Sequence, residues 1–177
     1  NVKDDPDFDV VAARLLRKVI YKRVLGGYRT DTELALLHRA RFPGYVRDAV
    51  EDGLLDARLA ALFDLDALAA ALDPTRDELL RYTGTVTMRN RYMIHDRERR
   101  PLEVPQYFWM RVAMGLSLNE ADPTAAALGF YDAISRLEYL PAGSTLVNAG
   151  TSYPQLSNCF VVQMDDDIEH IATSVRN

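Results

Sequence analysis

Apolar residues recur at helical spacing in the first part of the chain. The positions that follow this period are Phe8, Val11, Leu15, Val19 and Ile20. Asp5 is a candidate N-cap, Pro6 suits a first turn, and Gly26 suits the end of a helix. The pattern therefore predicts a helix over about residues 5–26.

The helical pattern continues from Asp31 to Asp73 with short interruptions. One short helix is predicted at "DTELALLHRA" and a second at "GYVRDAVEDG", followed by helical stretches at "LLDARLAALF" and "DLDALAAALD". The next stretch, "RDELLRYTGTVTMRNRYMI", begins with a helical period. It loses that period at Thr83 and Gly84, and its β-branched and aromatic residues then favour extended structure.

Two further amphipathic helices are predicted between residues 104 and 140. In "VPQYFWMRVAMGLSL", one face carries Tyr107, Met110, Met114 and Leu118, and these residues together with Trp109 are interpreted as core. The stretch "DPTAAALGFYDAISRLEYL" has the capping and period of another core-facing helix.

The residue composition changes after Leu140. Small and polar residues lead into "CFVVQM", residues 159–164, which has the composition of a strand in a buried sheet, and "DDDIEHIATSVRN" has the pattern of a helix. A lone strand would leave its backbone groups unpaired on both edges. We therefore expect the rest of the sheet to come from residues outside these 177 or from another chain.

Composition narrows the class of protein. With 48% hydrophobic and 27% charged residues and a net charge of −5, the chain suits a globular protein rather than a general binder of nucleic acid or membrane surfaces. Neither a bilayer-length apolar run nor a signal-peptide pattern is present, so a cytoplasmic location is expected.

The single cysteine, Cys159, cannot form a disulfide within the chain. In a reducing compartment it is either a buried small side chain or a reactive thiol, and composition alone favours burial. His38, His95 and His170 show no metal-ligand spacing, so no metal site is expected, and no phosphate-binding loop motif is present.

The stretches "LPAGSTLVNAGTSYPQLSNCFVV" and "DDDIEHI" resemble the large catalytic subunit of ribonucleotide reductase, with weaker likeness upstream through "RYMI" and "VPQYFWMRVAMGL". The resemblance implies a mainly α chain. Residues 1–140 would form the helical N-terminal region, and residues 141–177 would supply the first strand and helix of a ten-stranded α/β barrel completed by residues outside the chain.

The resemblance also implies roles for individual residues. Cys159 matches the first active-site cysteine, which pairs with a second cysteine outside this chain and reduces the substrate. Ser144, Ser157 and Asn158 fall where substrate contacts are expected. Asp166 matches the acid that binds the 3′-hydroxyl of a deoxynucleotide effector at the specificity site, although it could also cap the following helix, a role that favours Asp167.

The implied activity is thiyl-radical reduction of ribonucleotides to deoxyribonucleotides for DNA synthesis, absent until a complementary segment completes the barrel. No cofactor is expected on this chain alone. The expected partners are nucleotide substrates and effectors, a thioredoxin- or glutaredoxin-type reductant, a radical-generating small subunit containing metal, and further subunits of an oligomer. Two alternatives remain open: an adenosylcobalamin-dependent reductase and a non-catalytic helical interaction module.

Overall fold

The structure is a computed structural model that describes residues 7–159, 161, 163, 165–169, 172 and 173. Its α-helices are α1 (Asp7–Val24), α2 (Asp31–Glu51), α3 (Arg58–Ala61), α4 (Leu65–Ala71), α5 (Tyr82–Thr87), α6 (Pro105–Leu116), α7 (Pro123–Ser135) and α8 (Gly143–Asn148). A 3₁₀ helix at Pro74–Leu79 precedes α5, and a π-helical turn at Met88–Tyr92 follows it.

Helix α6 lies at the centre of the fold. Every residue from Pro105 to Met114 is buried, which is the pattern of a helix surrounded by others. It packs chiefly against α7, while α1 packs against α5 and α2 against α4. Tyr107 and Trp109 are part of the hydrophobic core, as predicted from their spacing.

Helix α2 is continuous, so the prediction of two short helices in this region was wrong. Pro43 lies inside it and cannot donate a backbone hydrogen bond. Leu34 and Phe42, which precede the proline, and Val46, which follows it, are all buried. Burial of one apolar stripe along the whole helix explains why the chain continues through Pro43. The N-terminus is capped by Thr30, whose hydroxyl accepts a hydrogen bond from the Glu33 N–H at 3.1 Å.

The prediction of extended structure after Thr83 was also wrong. Residues 82–92 are helical, with Thr85 and Met88 buried. The Thr85 hydroxyl donates to the Arg81 carbonyl at 3.0 Å, so its polar group is satisfied inside the helix. Packing against α1 decides the conformation here and overrides the β propensity of the residues.

No β-strand is present among the described residues; isolated antiparallel bridges join Leu55 to Thr151 and His95 to Pro101. Within the predicted strand 159–164, residues 159, 161 and 163 have no regular structure and are exposed, and the other three lie outside the described residues. Residues 168, 169, 172 and 173 are helical, as predicted. The candidate cap Asp5 lies outside the described residues.

The face of α1 turned towards the core differs from the one that periodicity suggested. Its buried residues are Ala13, Arg17, Ile20 and Tyr21. Of the predicted apolar positions only Ile20 is buried. Across the described chain, no helix combines the length and the apolar character needed to cross a membrane.

Candidate functional site

The segment that leads to Cys159 is attached to the turn between α2 and α3. The Asp56 N–H donates to the Gly150 carbonyl at 3.1 Å, and the Ser152 N–H donates to the Leu54 carbonyl at 3.2 Å. The Ser152 hydroxyl donates to the Gly53 carbonyl at 2.7 Å. These bonds hold residues 150–152 against the helical body.

Arg111 of α6 binds the carbonyl groups around the end of α8. Its Nη1 donates to the Ala149 carbonyl at 2.6 Å, and its Nη2 donates to the Tyr92 carbonyl at 3.2 Å and to the Leu146 carbonyl at 3.4 Å. The last carbonyls of a helix lack partners within it. A cation at that end satisfies them and also suits the helix dipole.

Glu103 balances the charge of Arg111. The Arg111 Nε lies 2.6 Å from Glu103 Oε1, and both side chains are at most 1% exposed. Tyr45 donates its hydroxyl to Glu103 Oε1 at 2.6 Å, and the Ile94 N–H donates to Oε2 at 2.9 Å. Burial alone would lower the pKa of Arg111, but the charge of Glu103 raises it overall. We call Arg111, Glu103 and Tyr45 the Arg111 cluster.

Two glycines let α6 and residues 149–150 lie in direct backbone contact. A Cβ at Gly115 would lie 2.1 Å from the Gly150 nitrogen, and a Cβ at Gly150 would lie 2.7 Å from the Arg111 carbonyl oxygen. Gly150 also has a φ of +77°, which disfavours other residues. The two glycines and the Arg111 cluster together fix where α8 ends and where the segment leading to Cys159 begins.

Ser144, a predicted substrate contact, lies in α8, where sequence analysis expected no helix. Its hydroxyl donates to the Leu156 carbonyl at 2.7 Å. Asn148 donates from its side-chain nitrogen to the Gln155 carbonyl at 2.8 Å, and the Gln155 side chain donates to the Ser157 carbonyl at 3.1 Å. Helix α8 therefore lies beside residues 155–157, which brings Ser144 close to the chain just before Asn158.

Cys159 is exposed, in contrast to the burial that composition favoured and that a strand in a buried sheet would give. Its sulfur lies 3.5 Å from the Asn158 side-chain oxygen. Ser157 and Asn158 are exposed as well. The thiol is thus open to reagents and to another segment of protein.

Asp166, the predicted effector ligand, is exposed in a bend before helical residues 168 and 169. The Asp167 N–H donates to the Asp165 carbonyl at 2.8 Å, which turns the backbone at this point. No hydrogen bond joins the Asp166 side chain to Ser144 or Cys159 among the described residues. Among the described residues no group of three or more potential metal ligands is present.

Sequence reasoning missed the residues that position this segment. Arg111 and Glu103 were not singled out, and neither was Gly115. The sequence did contain a sign of this ion pair. Arg111 is the one charged residue in the apolar run "FWMRVAM", and Glu103 lies eight residues before it. A charge in a run that is otherwise buried implies a counter-charge nearby.

Comparison with known proteins identifies the class. Residues 78–154 match the family described as "Ribonucleotide reductase, all-alpha domain", and the helical structure of these residues agrees with that description. Over 171 residues, 97% of this chain, it is 44% identical to "Ribonucleoside-diphosphate reductase subunit alpha" of Chlamydia muridarum. It is 35% identical over 175 residues to the protein of that name from Helicobacter pylori strain 26695, and 30% identical over 179 residues to the one from Treponema pallidum.

Residues 78–154 therefore match the all-α domain of ribonucleotide reductases, and the chain as a whole is similar to their large, or alpha, subunits. It spans only 16% of the Chlamydia muridarum relative, 21% of the Helicobacter pylori relative and 20% of the Treponema pallidum relative.

Proposed function

We propose that this chain forms part of the catalytic subunit of a ribonucleotide reductase and that Cys159 is one of the two thiols that reduce the ribonucleotide. The observation that carries the proposal is an exposed thiol that directly follows a segment anchored to the all-α domain. The names of the relatives supply the reaction class, with ribonucleoside diphosphates as the proposed substrates.

The proposed reaction replaces the 2′-hydroxyl of the ribose by hydrogen. The C2′–O bond breaks and the oxygen leaves as water. Two thiols supply two electrons and two hydrogens and become a disulfide. Radical chemistry initiated elsewhere in the assembled enzyme makes the C2′ position reactive.

The second thiol must come from outside this chain, because Cys159 is its only cysteine. A disulfide requires Cα atoms within about 7 Å, so another segment has to approach the exposed face of Cys159. We therefore propose that a complementary segment completes an α/β barrel around this thiol, and that the chain has no activity without it. A thioredoxin- or glutaredoxin-type dithiol would then regenerate the reduced pair by exchange.

Ser144, Ser157 and Asn158 are the proposed substrate contacts. All three lie on or beside the segment that α8 supports, and they offer hydroxyl and amide groups suited to phosphate or ribose oxygens. The Ser144 hydroxyl donates to Leu156, which leaves its lone pairs available as acceptors. Asp166 is the proposed effector ligand, since an exposed carboxylate can accept a hydrogen bond from the 3′-hydroxyl of a deoxynucleotide or of ATP.

The radical would come from a metal-containing small subunit. The terms "subunit alpha" and "large subunit" in the names of relatives support a second subunit. An oligomeric, cytoplasmic enzyme is part of the same proposal. An adenosylcobalamin-dependent enzyme is the alternative source of the radical.

Replacing Cys159 by serine in the completed enzyme tests the proposal. A hydroxyl has nearly the size of the thiol but cannot form a disulfide, so deoxynucleotide formation should be lost while assembly is retained. A Tyr153→Phe variant, at an exposed position of the same segment with no proposed substrate role, serves as a control for disturbance of that segment. Deoxynucleotide formation near the wild-type rate in Cys159→Ser would remove this residue from the mechanism.

Mass spectrometry of the assembled protein after removal of reductant provides a second test. The reductase proposal predicts a disulfide between Cys159 and a cysteine of another segment. A non-catalytic interaction module predicts a free thiol instead.

The effector proposal is tested by Asp166→Ala. Loss of a charge-assisted hydrogen bond, worth about 1.5–3 kcal/mol, should weaken effector binding roughly ten- to a hundredfold and change which base is reduced. Asp167→Ala is the matched control, because loss of a helix cap lowers stability by about 1 kcal/mol without changing effector preference. Unchanged effector affinity in Asp166→Ala would leave this residue without an effector role.

A further inference from the structure

The outward face of α1 carries an apolar stripe that no described residue covers. Its members, with their exposed fractions, are Phe8 at 53%, Val11 at 52%, Leu15 at 60% and Val19 at 63%. They follow one another at three or four positions, so they form a continuous ridge along one side of the helix. A contiguous apolar ridge of this kind is typical of an interaction surface, whereas single exposed apolar residues are not.

One edge of this stripe is basic. Arg14, Lys18 and Lys22 follow one another at intervals of four residues and are exposed. Arg14 is paired with Glu78 at 3.0 Å. Lys18 and Lys22 form no ion pair within the part of the chain that the structure describes. Two cations on this edge are therefore available to a partner.

A groove of 760 Å³ adjoins the stripe on its basic edge, between α1, α2 and the 3₁₀ helix. Val11 and Leu15 belong to both the stripe and the groove. Lys18 and Arg39 also line the groove, and neither forms an ion pair with any of the described residues. The apolar ridge and these cations thus form one surface. We call it the α1 surface.

Most carboxylates of the groove are already engaged. Glu78 is bound by Arg14 and by Arg17, whose Nη2 lies 3.3 Å away. Asp73 caps the 3₁₀ helix, and Asp77 is buried and accepts a hydrogen bond from Tyr21. Asp31 remains, in the first turn of α2. The charges left for a partner at this surface are therefore mainly positive.

We propose that the α1 surface is a docking site for an amphipathic helix of a partner protein, with apolar residues on one face and carboxylates along one edge. The apolar face would cover the stripe, and the carboxylates would meet Lys18, Lys22 and Arg39. A second copy of the chain suits the surface less well, because an antiparallel two-fold pair brings the same edge of each helix together. Lys18 and Lys22 would then face their own copies.

A synthetic peptide tests the proposal on the 177-residue chain. The probe is a fluorescent amphipathic helix with leucines on one face and glutamates along one edge. Two matched probes carry lysine in place of each glutamate or serine in place of each leucine. Binding is measured by fluorescence anisotropy, and circular dichroism confirms that each protein variant keeps its helical content.

We expect the glutamate peptide to bind and both matched probes to bind at least about tenfold more weakly. Leu15→Ser should weaken binding by at least about tenfold, since serine lacks the apolar surface that leucine would bury against the peptide. Lys18→Glu should weaken it several-fold and strengthen binding of the lysine peptide. Leu62→Ser and Arg47→Glu, at exposed positions outside the groove, should change neither value.

Three results would overturn the proposal. Equal affinity for the glutamate and lysine peptides would show that the charged edge has no role. Absence of binding, or binding that Leu15→Ser leaves unchanged, would place the site elsewhere. A dimer in sedimentation velocity that Leu15→Ser dissociates would identify a second copy of the chain as the occupant.

Discussion

Helix α6 contributes to two buried polar clusters. In one a buried charge is paired with an opposite charge, and in the other a buried carboxylate is bound mainly by neutral donors. Arg111 joins the Arg111 cluster, in which the cation and the Glu103 carboxylate lie 2.6 Å apart. Gln106 joins a second cluster, the Asp77 cluster, in which the Asp77 carboxylate accepts hydrogen bonds from Tyr21 and Gln106. Tyr131 extends this cluster by donating to the Gln106 side-chain oxygen.

The difference shows what a buried charge requires. Glu103 and Arg111 form an ion pair in a dry site, and backbone groups satisfy their remaining polar atoms. Asp77 is bound mainly by neutral donors, with the charge of Arg17 as a weaker influence. Its burial therefore dominates and raises its pKa to about 7. The Asp77 cluster should therefore respond to pH near neutrality.

The two clusters also differ in what they hold together. The Asp77 cluster joins α1, the 3₁₀ helix, α6 and α7 within the helical body. The Arg111 cluster joins that body to α8 and so to the segment that carries Cys159. Damage to the Arg111 cluster should therefore affect the candidate site, whereas damage to the Asp77 cluster should affect stability alone.

The largest effect is expected from Arg111→Met. Removal of the cation leaves Glu103 buried without its counter-charge, which should lower the free energy of unfolding by about 3–5 kcal/mol in urea denaturation. Arg47→Met removes an exposed arginine from α2 and should change stability by no more than about 0.5 kcal/mol. A similar small change in both variants would show that the buried pair contributes little.

Gly115→Ala tests the close contact beside Arg111. The new Cβ would lie 2.1 Å from the Gly150 nitrogen, so the backbone of α6 or of residues 149–150 must move. Such overpacking typically lowers stability by about 1–3 kcal/mol.

Gly129→Ala is the matched control for this variant. Gly129 also lies within a helix, but nothing is within 4 Å of its added Cβ, so helix propensity should raise stability by about 0.5–1 kcal/mol. Opposite signs for the two glycines are the expected result. Thermal unfolding of both variants would contradict the argument if Gly115→Ala were as stable as the wild type.

The fold was predictable where local signals agree with packing. Helices α1 and α7 have clear periods, and their predicted spans contain the observed ones. Prediction failed where packing overrides local preference, as at Pro43 in α2 and at Thr85 in α5. The exposed stripe on α1 shows a further limit, because periodicity reveals that a face is apolar but not whether it lies in the core.

The candidate site was predictable only in part and for a related reason. Cys159 lies in a contiguous motif whose resemblance could be detected directly. The residues that hold this motif in place are distant in sequence, since Arg111 lies 38 positions from Ala149. Which carbonyl an arginine binds depends on how helices pack, and a single sequence does not contain that information.

A pH-dependent effect is expected from Asp77→Asn. In the unfolded chain Asp77 should titrate near its ordinary pKa of 3.8, whereas in the folded chain its pKa is raised to about 7. Between these values the folded state holds the extra proton, so its contribution to stability is present at low pH and is lost as pH rises towards 7. The slope approaches about 1.4 kcal/mol per pH unit for one proton.

Because asparagine does not titrate, the difference in unfolding free energy between wild type and Asp77→Asn should shift in favour of the variant as pH rises from about 4 to 7. Urea denaturation at several pH values measures this difference, in which the contributions of the other acids largely cancel. Asp48→Asn, at an exposed acid of α2, provides the control. A difference that stays constant over this range would mean that Asp77 is not protonated in the folded state near neutral pH.

The smallest effect is expected at the outer attachment of the candidate site, from Ser152→Ala. The exposed Ser152 hydroxyl donates to the Gly53 carbonyl at 2.7 Å, and solvent can replace that bond, so global stability should fall by only about 0.5 kcal/mol. Local opening should be more sensitive than global unfolding. Amide hydrogen exchange at Ser152 and Asp56, whose N–H groups bond Leu54 and Gly150, should therefore become several-fold faster. Exchange within α6 should remain unchanged, because the Arg111 cluster still holds α8; equal acceleration in α6 would instead show that the two attachments open together.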